Sequence, residues 1–146
     1  MKRALTALTL LLASLAAEAQ QLVRDGAYVV HYAAFNSTDL SAEIAQRYGI
    51  RRAAGRGLLI INAQREDANT RKSSAVTATA QGNVRTLLGD TRPLTVRRVS
   101  ADGSEDLLAE FSYTPLEFLR FELQVQPQGA PRPLTINFQQ QFFGDD

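Results

Sequence analysis

From residue 20 onward, apolar and polar positions alternate with a period of two, the mark of strands that bury one face. Tyr28, Val30, Tyr32 and Ala34 alternate with Val29, His31, Ala33 and Phe35. The same alternation runs through residues 59–64, 76–81, 94–99, 107–113, 119–126 and 134–139, the last continuing to Phe143. The pattern predicts seven strands. Asp102-Gly103 reads as a tight hairpin. Gly82-Asn83 and Gly89-Asp90 are read as breaks in the middle of the chain. Thr114-Pro115 closes one strand. Residues 127–133, with Pro127, Pro131 and Pro133, form a loop whose prolines deny a ladder its donors. With no helical crossovers and polar outer faces, the expected fold is all-β, two antiparallel sheets packed face to face.

One helical segment interrupts the strands, at residues 41–49. Ser41 can cap it, and Glu43 suits the positive end of the helix dipole. Gly49 can end it in the left-handed conformation. Two turns do not stand alone in water. The helix is therefore expected to lie on the sandwich through Ile44 and Tyr48, which are one turn apart.

The first residues follow another rule. Met1-Lys2-Arg3 precedes an apolar run over residues 4–17, and Ala17-Glu18-Ala19 closes it. A basic start, a short apolar core and a small-x-small exit make a secretory signal peptide, cut after Ala19. The run is shorter than the roughly 20 residues a bilayer requires, and no later stretch approaches a span. Residues 20–146 are then expected to form a single soluble domain in the bacterial periplasm. The chain has no cysteine, so neither a disulfide nor a lipid-bearing cysteine is available.

Charge narrows the partners. Removing Lys2, Arg3 and Glu18 leaves fourteen basic and fourteen acidic residues. A balanced chain lacks the positive field that nucleic acid requires. Fourteen of the sixteen basic residues are arginine, which fits a GC-rich genome.

The chemistry-bearing residues are few. His31 is the only histidine. Catalysis would require an acid-base or nucleophilic partner beside it, and metal binding would require further nitrogen or sulfur donors. A lone histidine on a strand serves structure more often. Asn36-Ser37-Thr38-Asp39 sits where a strand turns into the helix, and all four side chains suit turn and cap duty. Arg51, Arg52 and Arg56 flank Gly55 and Gly57 in the densest positive stretch, which could hold a carboxylate or phosphate, although the glycines follow no phosphate-loop spacing. Glu105, Asp106 and Glu110 read as a solvated face. Gln140 falls in phase with Leu134, Ile136 and Phe138, marking a thinning core or a polar pocket.

These residues carry a resemblance. The run His31-Tyr32-Ala33-Ala34-Phe35-Asn36-Ser37, the helix at 41–49, and Arg52 followed by Gly57-Leu58-Leu59 are similar to the domain-of-unknown-function family 4426, small exported proteobacterial proteins. Residues 83–89, the strand at 119–127 and Phe138-Gln139-Gln140-Gln141-Phe142-Phe143 resemble it too. Ala42 departs from the family's proline at the first helical position, where alanine is acceptable. The resemblance implies an immunoglobulin-like sandwich, and it brings no activity and no catalytic residues.

The expectation is a non-catalytic binding or accessory module that uses no cofactor or metal. Its contact surface is expected where His31, Tyr32 and Phe35 meet Asn36, Ser37, Tyr48, Arg51, Arg52 and Arg56. The partner would be an envelope protein, which could pair at an edge strand, or a small ligand. The alternatives are a small hydrolase or lyase using His31 with a carboxylate, and a metal carrier built on His31.

Overall fold

The computed structural model describes residues 21–101 and 104–144, except for the side chains of 101 and 104. The expected signal peptide and the Asp102-Gly103 hairpin lie outside the described residues. Strands are β1 (Gln21–Asp25), β2 (Tyr28–Asn36), β3 (Arg56–Glu66), β4 (Ser73–Ala75), β5 (Ala78–Thr86), β6 (Thr91–Pro93), β7 (Val96–Ala101), β8 (Ser104–Ser112), β9 (Phe118–Pro127) and β10 (Leu134–Gln141). A 3-10 turn (Ser37–Asp39) and helix α1 (Ala42–Tyr48) link β2 to β3. The first sheet runs β1-β2-β3-β8-β7, with β4 on the far end of β3, and the second runs β10-β9-β5-β6. Every pairing is antiparallel.

The period-two phase decides which side chains meet between the sheets. Val30, Leu59 and Ile61 from the first sheet and Phe121, Leu123, Val125 and Ile136 from the second are all fully buried in one core cluster. Three strands escaped the sequence pattern. β1, β4 and β6 are five, three and three residues long, too short for alternation to register. Gly82-Asn83 corrects the sequence expectation more sharply, because it is no break and lies inside β5. Gly82 pairs with Leu123 of β9, and a Cβ there would collide with the Glu122 carbonyl oxygen and the Leu123 side chain. The glycine marks close strand approach. Gly89, by contrast, does turn the chain, at φ 101°.

Helix α1 starts and stops as expected. The Ser41 hydroxyl accepts the Ile44 amide at 3.2 Å. Gly49 takes φ 67°, and the Ile50 amide reaches back to the Ala45 carbonyl at 2.8 Å, the wrap that satisfies terminal carbonyls. The buried face differs. Ala45 and Ile50, with Tyr48 partly buried, pack on Leu58 and Leu108 as a second apolar cluster on the outer side of the first sheet. Ile44 is 39% exposed. It stands about 100° around the helix from Ala45, so it reaches the rim while the small alanine lets the helix close on the sheet.

Two polar contacts fasten the β1–β2 edge of the first sheet to β10 and the loop before it. The Arg132 guanidinium donates to both Asp25 carboxylate oxygens, at 2.7 and 3.1 Å. The Gln140 amide donates to the Ala34 carbonyl at 2.8 Å, just past the last β1–β2 pair, Gln21 with Tyr32. The hydrogen bond from Arg132 holds the Asp25 carboxyl below its ordinary 3.8. A carboxyl lowered by folding stabilises above its unfolded value, and that stabilisation is lost as pH falls through the folded value. Asp25→Asn is therefore expected to lower Tm at neutral pH. The difference from the parent should close in acid below pH 3.8, as read by thermal melts across a pH series.

Candidate functional site

The corner between β2 and β3 is built around one hydroxyl. Ser37 is 1% exposed. Its oxygen accepts the Ala53 amide and donates to the Ala53 carbonyl, both at 3.0 Å. One side chain thereby ties the turn after β2 to the segment before β3. The Arg52 guanidinium donates to the Thr38 carbonyl at 3.1 Å, and the Asn36 amide donates to the Phe143 carbonyl at 3.3 Å. Phe35 and Tyr48 fill the apolar cluster beneath the helix. The Tyr48 carbonyl accepts from Arg97 of β7 at 2.8 Å, and the Gly49 carbonyl from the same nitrogen at 3.5 Å, a cation on the negative end of the helix.

Arg51 is exposed and makes no hydrogen bond or ion pair among the described residues. Arg56 opens β3 and faces Glu110 at 3.6 Å, while its buried Nε has no partner. The structure thus gathers Asn36, Ser37, Arg51 and Arg52 at one corner, sets Phe35 and Tyr48 beside it, and draws Arg56 to a carboxylate.

His31 and Tyr32 part company, as neighbours on a strand must. Tyr32 points between the sheets, its ring 4.9 Å from that of Phe138, and desolvation pushes its phenol above the ordinary 10.0. His31 lies on the helix-bearing face, level with Leu22 on one side and Asn62 on the other. It is half-buried, and its side chain makes no hydrogen bond among the described residues. Asn62 donates to Asp106 at 2.8 Å and accepts from Gln64 at 3.0 Å, so an amide separates the histidine from that carboxylate. Among the described residues no three metal-ligating side chains cluster.

Sequence reasoning missed a groove on the outer face of the second sheet. It holds about 660 Å³, lined by Gln81, Asn83, Glu122, Gln124, Thr135 and Asn137. Those six side chains make no hydrogen bond or ion pair among the described residues. The signal lies in the polar phase of three strands, which by itself indicates only an outward face. Among the described residues, no helix is long and apolar enough to cross a membrane.

The profile of a domain of unknown function, DUF4426, matches residues 22–145. The chain belongs to the DUF4426 family. None of the curated proteins matches it. The crystal structure of a DUF4426 family protein from Pseudomonas aeruginosa PAO1 is similar, with a TM-score of 0.74 and 31% identity over 88% of this chain and 98% of the other. The DUF4426 match begins in β1 and passes the last aromatic, Phe143, so it takes in both sheets, the helix and the Ser37 corner.

Proposed function

We propose that this DUF4426 protein is a periplasmic accessory module that works by contact and performs no chemistry of its own. Its docking surface is the corner where β2 passes into α1, and its partner is an envelope protein presenting an acidic group. The buried Ser37 hydroxyl supports this reading most directly. It pins two loops together at both its donor and its acceptor, and an exposed Arg51 and Arg52 stand on the pinned frame. Pinning the backbone beneath these two arginines lowers the ordering cost of binding a carboxylate.

The test is crosslinking in intact cells followed by identification of the captured protein. Arg51→Ala combined with Arg52→Ala is expected to reduce capture at least tenfold. Tm should move little, since exposed substitutions cost within about 0.5 kcal/mol. Unchanged capture removes this surface. The amide-lined groove favours a second reading, small-ligand binding, which would raise Tm in a ligand screen and be insensitive to the arginine changes. Turnover that disappears in His31→Ala would replace both with the hydrolase reading.

A further inference from the structure

The large apolar side chains that remain exposed are not scattered. Five of the seven are Leu87, Leu88, Leu116, Phe118 and Phe143. Thr86 pairs with Leu119, which sets Leu87 level with Phe118. Phe118 pairs with Gln141, whose amide donates to the Leu116 carbonyl at 3.0 Å. The Leu116 amide in turn donates to the carbonyl of Phe142, beside Phe143. All five therefore meet at one end of the sandwich. Leu88 is at the tip of the β5–β6 turn and is 98% exposed. Patches of this kind on a folded surface mark interaction sites.

Directly behind this rim is a basic row. Arg85 and Arg120 pair with each other across the β5–β9 ladder. They precede Leu87 and follow Phe118 by two residues, so they share the outer face one pleat inward. Arg85 donates to the Thr91 hydroxyl at 3.2 Å and Arg120 to the Gln139 amide oxygen at 3.5 Å. Neither has a carboxylate within ion-pair distance among the described residues. Glu122 follows Arg120 one pleat further in on the same face, Asp90 lies in the β5–β6 turn, and the Glu117 carboxylate is turned to the Thr114 amide at 2.8 Å. Like charges directly opposite each other weaken a ladder, and an external anion would relieve them.

The spacing identifies the anion's setting. Two strand residues span about 6.7 Å. An apolar rim that far ahead of a row of guanidinium groups matches the depth, about 5–10 Å, to which interfacial segments enter a bilayer. Arginine stems can follow the rim while their heads stay with the phosphates. We propose that this end of the sandwich docks on an anionic lipid surface. Leu87, Leu88 and Phe118 enter the interface, and Arg85 and Arg120 lie at the level of the phosphates. The docking end adjoins the Arg51–Arg52 corner through the Asn36–Phe143 contact, but it uses different residues and does not depend on that assignment.

The experiment is co-sedimentation of the full chain with vesicles of phosphatidylcholine alone, or of two parts phosphatidylcholine to one part phosphatidylglycerol. Binding is expected only to the anionic vesicles, and it should weaken as salt shortens the screening length. Arg85→Gln and Arg120→Gln should each lower affinity roughly fivefold. Leu88→Ser should lower it about tenfold or more by removing an apolar side chain that the lipid interface would bury. Lys72→Gln, in the loop at the other end, should leave it unchanged. All four positions are exposed, and far-ultraviolet circular dichroism checks that each variant folds. No binding to the anionic vesicles, binding that survives Leu88→Ser, or full displacement by soluble glycerol phosphate would each overturn the proposal. The last would assign a free phosphate site in place of a surface.

Discussion

Phe121→Ala is expected to destabilise the protein by about 3–5 kcal/mol, the range for emptying a buried aromatic site. Phe121 is 0% exposed. Its ring stacks on Phe138 at 4.6 Å and meets Phe111 edge-on at 5.0 Å and Phe142 at 6.1 Å. Phe111 comes from the first sheet, so the ring joins the two layers as well as filling volume. Neighbours held from several sides cannot collapse into the void, which places the cost towards the top of the range. The check is a urea melt in which the midpoint falls and the slope stays the same. Phe143→Ala is the comparison. Its side chain is exposed, and the bonds that use Phe143 go to its carbonyl, so a change within about 0.5 kcal/mol is expected. Equal losses in the two variants would mean that the aromatic cluster does not hold the layers together.

Gly82→Ala is expected to cost about 1–3 kcal/mol, the range for overpacking. On backbone grounds alone the sign would be opposite, because alanine restricts the unfolded chain and commonly stabilises. Gly82 is not in the left-handed region, so conformational strain is not the cause. The obstacle is the β9 backbone, the Glu122 carbonyl, which cannot swing away as a side-chain tip can. Thermal melting of the variant reads the sign directly. A neutral or raised Tm would show that β5 and β9 can separate by most of an ångström without losing their pairing.

The two positions also show what the sequence reveals and what it hides. Phe121 was legible because alternation over residues 119–126 puts Leu119, Phe121, Leu123 and Val125 on one side, and burial follows that phase. Gly82 was not legible, since a glycine before an asparagine has the same letters in a turn and in a crowded strand. Only the partner strand distinguishes the two, and pairing across forty residues is not a local property. The helix caps at Ser41 and Gly49 were readable because capping uses residues three or four apart. The inward residue was not. Choosing Ala45 over Ile44 depends on where the sheet lies, and size alone favoured the wrong neighbour.

The candidate surface divides in the same way. Asn36 and Ser37 could be read as corner residues from their type and place. The partner of Ser37, Ala53, carries no polar side chain to advertise the contact. Tyr32 entered the surface through proximity to His31 in the chain, although strand geometry sends adjacent side chains to opposite faces. The apolar rim was invisible for a related reason. Leu87, Leu116 and Phe143 are far apart in sequence, and only the ladder register collects them.

Phe142 makes the order of assembly a physical constraint. Its ring lies against Phe111, Tyr113 and Phe121, and its backbone exchanges hydrogen bonds with Leu116 and Glu117. The Phe143 carbonyl receives both the Asn36 amide and the Tyr113 hydroxyl. Synthesis delivers the chain from its amino end at about 5–20 residues per second. This end of the interior therefore stays open while the ribosome is still adding the last aromatic residues. The interior at this end cannot close before residue 142 has left the ribosome.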